Sequence, residues 1–515
     1  MAPDSAEAPA LAGSPDGSGG PLSEHLLEPI FNPRSVALVG VSSRPAMGLG
    51  GMLQTGLMEF GFDRSRIYPV NPKTSEVSGL TCYPTLLDTP DPVDYVVSLV
   101  PARVVPGLVE QCVEKDVRCV HFFTAGFSET GDPEMANVER EMIATLRAAG
   151  IRTVGPNCLG LYLPDAGLSF GADFPKTPGN MFLLSQSGWN AGGIIRSVAA
   201  RGIRFSKAIS YGNGADLKAH DFLDYAASDP STSAVMAYIE GVGDGRAFFE
   251  ALKRCAAEKP TILLKGGITD AGARAASSHT ASLAGSIELF DALCAQVGAL
   301  RAETMDDLHD LAVGVSTSAA RVRERETVLI GGPGGFAVLS ADDTAKAGLR
   351  LARLPDWARD ELHEFVPVAG SSVDNPLDVM LRAPGHLERA LRIVTRTAGT
   401  GVVLSTSPDA GGAGGHGGDQ TAAAGEWAAM LRRVEDDSGV PVVAVRPPSG
   451  GGPDPFVEAA FEHGISVFPT VARAARTVST LITWREQREG LPVGADAAQT
   501  TFGTRRTGSS VRHSP

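Results

Sequence analysis

The feature that most constrains this chain is the repeated alternation of short, wholly apolar runs with longer helix-compatible stretches between residues 26 and 488. Strands that are apolar along their whole length have both faces covered, which is the pattern of parallel sheets flanked by helices. The runs fall into three blocks. The first holds Val36–Gly40, Ile67–Val70, Tyr95–Val100, Cys119–Phe123 and Thr153–Val154. The second holds Met181–Leu184, Phe205–Ile209, Val235–Ile239 and Thr261–Leu264, and the third Val328–Ile330, Gly401–Leu404, Val442–Val445 and Ser466–Phe468. Residues 302–326, helical and charged, are expected to carry the chain from the second block to the third. The prediction is an α/β protein with blocks at 26–162, 163–320 and 321–488, and disordered tails at 1–25 and 489–515. The Gly-rich run Asp409–Gly418 reads as a mobile surface loop.

Composition narrows the function classes. At 515 residues the chain exceeds one ordinary domain, and 43% hydrophobic with 20% charged residues is normal for a globular protein. No apolar run approaches the ~20 residues needed to cross a bilayer. Met1–Gly20 has neither a basic region nor an apolar one, so no signal peptide is read and the cytoplasm is the expected location. Six scattered cysteines without a CxxC pair support neither a zinc site nor a disulfide framework. A net charge of -14 argues against general nucleic-acid binding but leaves a small phosphorylated ligand open.

In the first block, the strand Val36–Val39 runs into Gly40-Val-Ser42-Ser43, followed by Gly48, Gly50, Gly51 and a helical stretch. A glycine turn between strand and helix offers N–H groups to phosphate. A dinucleotide site carries an acid about 20 residues beyond its glycines to hold the ribose. Here the second strand ends Asn71-Pro-Lys73 instead. The residues leave two readings: a ligand with phosphate near its ribose, such as CoA or NADP, or a plain turn with a solvated lysine.

In the second block, Leu184-Ser-Gln-Ser-Gly188 lies between a strand and a helix, and His279 sits among small residues in Ala275-Ala-Ser-Ser-His-Thr-Ala281. Glu240 ends the strand Tyr238-Ile-Glu240. A carboxylate that orients an imidazole leaves its other nitrogen able to attack phosphorus. In the third block, Gly331-Gly-Pro-Gly-Gly335 is again strand, glycine loop and helix start, without the Gly-Lys-Ser/Thr of a Walker loop.

The series Phe31-Asn-Pro-Arg-Ser, Tyr68-Pro-Val-Asn-Pro-Lys73, Val100-Pro-Ala, Ala125-Gly-Phe-Ser-Glu-Thr-Gly131, Gly155-Pro-Asn-Cys-Leu-Gly160, Ser185-Gln-Ser-Gly188, Ser210-Tyr-Gly-Asn-Gly-Ala-Asp216 and Glu240-Gly241 resembles the ADP-forming acyl-CoA synthetases and succinyl-CoA synthetase α chains. The resemblance spans roughly residues 26–485. It implies a Rossmann-like CoA-binding domain followed by two flavodoxin-like domains. It further implies that Gly40, Ser42 and Ser43 face the CoA phosphates, Lys73 pairs with one, Val100 and Pro101 line the pantetheine path, and Asn157 and Cys158 lie toward the thiol. His279 would carry the phosphoryl group with Glu240 as its orienting base. Ser185, Gln186, Ser187 and Gly188 would form one phosphate-binding turn, and Gly332, Gly334 and Gly335 a second. Asp374-Asn-Pro-Leu-Asp378 matches a family segment read as structural. Three positions depart from the pattern: Trp189-Asn190 stand where Ala-Leu is usual, and Ala281 where Gly is usual.

No stretch resembles the ATP-grasp region that binds nucleotide in single-chain members. The implied function is therefore an α-type subunit of an NDP-forming acid–CoA ligase, acting on acyl-CoA or short-chain carboxylates in an oligomer. ATP or ADP and Mg2+ would sit on an ATP-grasp β-type partner, and no metal on this chain. A CoA-binding regulatory protein without turnover is the alternative, and an NADP-dependent dehydrogenase a weaker one.

Overall fold

A computed structural model describes residues 25–43, 48–272, 274, 286–332, 334–366, 372–379, 381, 385–406, 420–448 and 454–489. Three predominantly parallel sheets follow one another along the chain. The first contains β1 (Val36–Val39), β2 (Ile67–Val70), β5 (Tyr95–Ser98), β6 (Cys119–Phe122) and β7 (Arg152–Val154), in the order β2-β1-β5-β6-β7. A two-stranded hairpin, β3 (Glu76–Val77) with β4 (Leu80–Thr81), projects after β2.

The second sheet is ordered β13-β12-β11-β9-β10-β8, with β8 (Gly160–Tyr162), β9 (Met181–Ser185), β10 (Phe205–Ser210), β11 (Ala234–Ile239), β12 (Thr261–Lys265) and β13 (Leu300–Ala302). The third is β15-β14-β16-β17-β18, built from β14 (Glu326–Ile330), β15 (Arg350–Leu351), β16 (Val402–Thr406), β17 (Val442–Val445) and β18 (Ser466–Phe468). Relabelled from its first parallel strand, each sheet reads 2-1-3-4-5, the doubly wound flavodoxin order. Every residue of β1, β5, β6, β9, β12 and β17 is buried, so the continuous apolar runs reflect coverage on both faces.

Each strand expected from the sequence forms, with ends shifted by at most two residues. Four short pieces were not expected: the β3–β4 hairpin, β8, β13 and β15. Two or three residues carry too little pattern to announce a strand, and their pairing is set by neighbours distant in sequence. β8 also moves a boundary. Assigned by sequence to the first block, it runs antiparallel to β10 at the edge of the second sheet. Residues 302–326 hold a helix, Met305–Ser316, and a short 3-10 turn, Ser318–Arg321, before β14 begins at Glu326. The tail residues 1–24 and 490–515, the run 409–418 and the segment carrying His279 lie outside the described residues. Among those described, no helix is long and apolar enough to cross a membrane.

The blocks share a core. One buried cluster runs from Leu27 and Phe31 through β1, the whole second sheet and Phe468 to Ile482 of the helix Val471–Arg488. Buried carboxylates reinforce the joins. Asp310 accepts from Arg201 at 2.6 Å and from Arg473 Nε at 2.6 Å, tying that helix to the second block. Asp216 is fully buried and accepts from Arg147, Arg152 and the Thr153 backbone N–H, at 2.5, 2.9 and 2.7 Å. Removing the carboxylate strands that N–H and takes the main acceptor from two guanidinium groups, of which the half-exposed Arg147 can turn to solvent. Asp216→Ala is expected to cost about 2–4 kcal/mol, read as a lowered denaturation midpoint.

Candidate functional site

Reversal of strand order places β1, β9 and β14 at the switch points of their sheets, and each of the three glycine turns follows one of these strands. Ligands of open α/β sheets bind at this position, beyond the strands' carboxyl ends. The sequence-predicted residues of the first and second blocks therefore gather along neighbouring edges.

At the first switch point, Gly40 adopts φ +93 and donates its N–H to Val70 O at 2.9 Å. A Cβ at Gly40 would come within 2.8 Å of Val100 Cγ1 and 3.0 Å of the Leu99 carbonyl carbon, so two predicted residues, Gly40 and Val100, meet directly. Ser42 and Ser43 are exposed beside them. The backbone of Ser42 is locked by Gln54, whose amide accepts from Ser42 N at 2.9 Å and donates to Ser42 O at 2.7 Å. The Ser42 N–H is therefore already bonded within the loop. Lys73 is exposed on the adjacent loop, positioned by Asn71, which accepts from Lys73 N and donates to Val41 O. Val100 O accepts from Thr124 Oγ1 at 2.8 Å, and exposed Pro101 opens the next turn.

At the other end of this edge, Asn157 takes a left-handed φ of 57 and donates its N–H to Thr124 O. Cys158 turns inward. Its thiol is buried against Phe122 O, and burial raises its pKa well above the usual thiol value. The sequence placed Cys158 toward the CoA thiol, but its own sulfur packs into the core and offers the ligand side only backbone. Beneath it, His121 holds Cys158 O through Nε2 at 3.1 Å, and burial lowers its pKa to about 4, so it stays neutral.

The second block meets this end. Asn213 donates to Glu129 and Glu139 of the first block at 2.7 and 3.1 Å, and its backbone N–H donates to Pro156 O at 3.0 Å. Ser210 Oγ accepts from Leu159 N at 3.0 Å, and a Cβ at Gly188 would lie 2.7 Å from Leu159 Cγ. The Asn157–Leu159 loop and the Ser185–Gly188 turn are thus in contact.

Within that turn the side chains have different work from the one the sequence suggested. Ser185 is fully buried and donates to Ser187 O at 2.7 Å. Ser187 caps the helix Gly188–Ala199 by accepting from Asn190 N. Gln186, 4% exposed, accepts through Oε1 from the backbone N–H groups of Glu240 and Gly241 at 2.8 and 3.0 Å. These three side chains build the turn and anchor Glu240. What the turn presents to an anion is the helix start at Gly188 and Trp189, whose N–H groups precede the first intrahelical acceptors. Trp189 is 79% exposed there.

Glu240 is gripped from the opposite side too. Lys265, buried at the end of β12, donates to Glu240 O at 2.6 Å and Gly266 O at 2.5 Å. Burial lowers the Lys265 pKa, and the Glu240 charge pulls it back up. Tyr238, two residues before Glu240, lies near the Glu240 charge; burial pushes its pKa up to about 12. The sequence reading missed Lys265, and it gave no role to Gln54, Tyr238, Asn190 or Asn213. A lysine closing the apolar run Thr261-Ile-Leu-Leu-Lys265 was the one visible signal.

In the third block, Gly334 N–H donates to Asp378 Oδ2 at 2.8 Å, so this predicted phosphate donor already holds a carboxylate. Asn375 stitches the loop to the sheet, accepting from Leu329 N and donating to Thr327 O and Ala352 O. A Cβ at Gly332 would collide with Phe336, and Gly335 begins the helix Gly335–Lys346. Among the described residues, no group of three or more His, Cys, Asp or Glu could hold a metal ion.

Residues 34–164 match the CoA binding domain and residues 178–314 the succinyl-CoA ligase like flavodoxin domain. The α subunit of the ADP-forming acetate–CoA ligase II of Pyrococcus furiosus is 37% identical over 361 residues, covering 70% of this chain and 78% of that one. The ADP-forming acetate–CoA ligase I of Archaeoglobus fulgidus is 36% identical over 387 residues, 74% of this chain and 54% of the longer relative. Among solved structures, acetyl-coenzyme A synthetase 1 of Candidatus Korarchaeum cryptofilum, in complex with phosphate and ADP, superposes with a TM-score of 0.72 at 30% identity, covering 91% of this chain and 99% of that one. The chain belongs to the ADP-forming acetate–CoA ligase family, as an α-type acid–CoA ligase subunit with CoA as a substrate.

Because Gly40 combines positive φ with close contact to Val100, a side chain there must displace the loop. Gly40→Ala is expected to weaken CoA binding by about tenfold or more, roughly 1.4 kcal/mol, by calorimetric titration, with the fold retained.

Proposed function

We propose that this chain catalyses acyl-CoA + phosphate + ADP ⇌ carboxylate + CoA + ATP together with a separate ATP-grasp β-type subunit, which supplies the nucleotide and Mg2+ site. Phosphate attacks the thioester carbonyl carbon and expels the CoA thiolate, giving an acyl phosphate. A nitrogen of His279 then attacks phosphorus and releases the carboxylate. A terminal phosphate oxygen of ADP takes the phosphoryl group from His279, giving ATP. Splitting the transfer lets the acyl and nucleotide sites lie apart.

The observation that carries this reading is the contact between the Asn157–Leu159 loop and the Ser185–Gly188 turn, with Glu240 clamped behind that turn. In this assignment the thioester end of CoA meets the helix start that stabilises phosphate, and Glu240 accepts from the His279 ring to fix its tautomer. Lys73 and the exposed Ser42 and Ser43 hold the CoA phosphates, with Val100 and Pro101 along pantetheine. Gly335 and the helix it opens supply a second positive end for the phosphoryl group. The α-subunit relatives support a partner chain, and the acetate named for them makes a short-chain acyl group the first candidate. A protein that only bound CoA would have no use for a glutamate whose peptide group is held by two side chains.

The test is incubation with a panel of acyl-CoAs and radiolabelled phosphate, followed by measurement of acid-labile, base-stable label. Wild-type protein is expected to be labelled and His279→Ala not. Glu240→Gln is expected to slow labelling by about a hundredfold, within the range for a lost acid–base partner. Equal labelling of wild type and His279→Ala would overturn the assignment.

A further inference from the structure

Asn157 stands where the first two blocks meet, and its backbone is pinned from both sides. Its N–H donates to Thr124 O at 3.0 Å. The carbonyls just before it, Gly155 O and Pro156 O, accept from Ala215 N and Asn213 N, both at 3.0 Å. A Cβ at Gly212 would lie 2.3 Å from Asn157 O. The freedom left to Asn157 is which way round its side-chain amide stands, and Asn213 decides it.

Asn213 Nδ2 donates to two carboxylates, to Glu129 Oε2 at 2.7 Å and to Glu139 Oε2 at 3.1 Å. Other donors fix both acids. Glu129 accepts from Gly126 N and Phe127 N at 2.5 and 3.2 Å. Glu139, on the helix Pro133–Ala148, accepts from Ser128 N and Ser128 Oγ at 3.3 and 2.9 Å. Carboxylate oxygens are acceptors, so a reversed Asn213 amide would set its own oxygen against two others. Asn213 Oδ1 therefore faces Asn157, whose Nδ2 lies 3.5 Å away. At that length the bond is weak. Its force lies in what it forbids, because a reversed Asn157 would also place oxygen against oxygen. Asn157 Oδ1 is thus turned away from Asn213, and among the described residues it takes no hydrogen bond.

We infer that Asn157 Oδ1 is a hydrogen-bond acceptor for the pantetheine arm of CoA, and that Asn213 is the positioning residue that keeps it so. Glu129 and Glu139 fix the amide of Asn213, which fixes that of Asn157. The group accepted is a donor on the arm, either an amide N–H or the terminal thiol. The inference rests on the reading that the Asn157–Leu159 loop meets the thioester end of CoA. What crosses the join between the domains is orientation, passed from two acids to one ligand-facing oxygen.

The experiment is calorimetric titration of the full chain with CoA and with desulfo-CoA, with thermal melts verifying that each variant is folded. Asn157→Leu is expected to weaken CoA binding about tenfold, whereas Asn157→Asp, which keeps an acceptor and loses the donor, stays within about threefold of wild type. Asn213→Leu is expected to weaken binding about threefold in the wild-type background and to have no further effect in Asn157→Leu, because it acts through that amide. If Asn157→Leu weakens desulfo-CoA as much as CoA, the donor is an amide of the arm; if it leaves desulfo-CoA binding unchanged, the donor is the thiol. Binding by Asn157→Asp as weak as by Asn157→Leu would overturn the acceptor polarity. An equal loss from Asn213→Leu in both backgrounds would overturn its positioning role, with the loop's place at CoA intact. Wild-type affinity in Asn157→Leu would remove the inference and the reading of the loop together.

Discussion

Everything at this site depends on the direction of a parallel strand. Carbonyl ends of successive strands converge on one edge, and where strand order reverses, the chain leaves a gap that no crossover helix fills. The molecule makes this gap three times, after Val39, Ser185 and Ile330, and fills it each time with glycine. At Gly40 the reason is geometric, because positive φ and the nearness of Val100 exclude a side chain. One solution is thus repeated in series, a glycine turn following the switch-point strand of each sheet.

The second gap shows how much side-chain chemistry is needed to hold the peptide group of a single glutamate. Gln186 reaches across from the end of β9 and Lys265 from β12, to Glu240 at the end of β11. The three adjacent strands at the middle of the sheet therefore share the task. Burying Lys265 is unfavourable alone, and its two carbonyl acceptors together with the nearby carboxylate offset the loss of water.

The sequence made the sheets legible because buried parallel strands are apolar at every position, and β2, β17 and β18 fall at the expected residues. It made the residue types of the site legible because Gly40, Glu240 and the Ser-Gln-Ser turn stand at strand ends. It did not make their partners legible. Gln186 looked like a ligand to phosphate because it sits in a phosphate-type turn, whereas its oxygen serves backbone 54 residues away. The family resemblance set Cys158 toward the CoA thiol, but the chain turns at the left-handed Asn157 and the Cys158 thiol packs inward. Gly334 looked like an open donor until Asp378, 44 residues on, proved to accept from it. Such pairings arise when strands are brought side by side, and no local pattern encodes them.

The short segment before β1 has an implication for synthesis. Leu27, Ile30 and Phe31 are almost wholly buried, and Phe31 packs its ring 4.5 Å from that of Tyr225, whose hydroxyl donates to Glu28 across 197 positions. On a ribosome these residues emerge early and their partner late. The first sheet can close while the segment ahead of it waits, its apolar face uncovered, for the helix Ala219–Ser228 to appear. Completion of the amino-terminal domain is thus timed by translation of the domain that follows, and a nascent chain halted between them would display that face to chaperones.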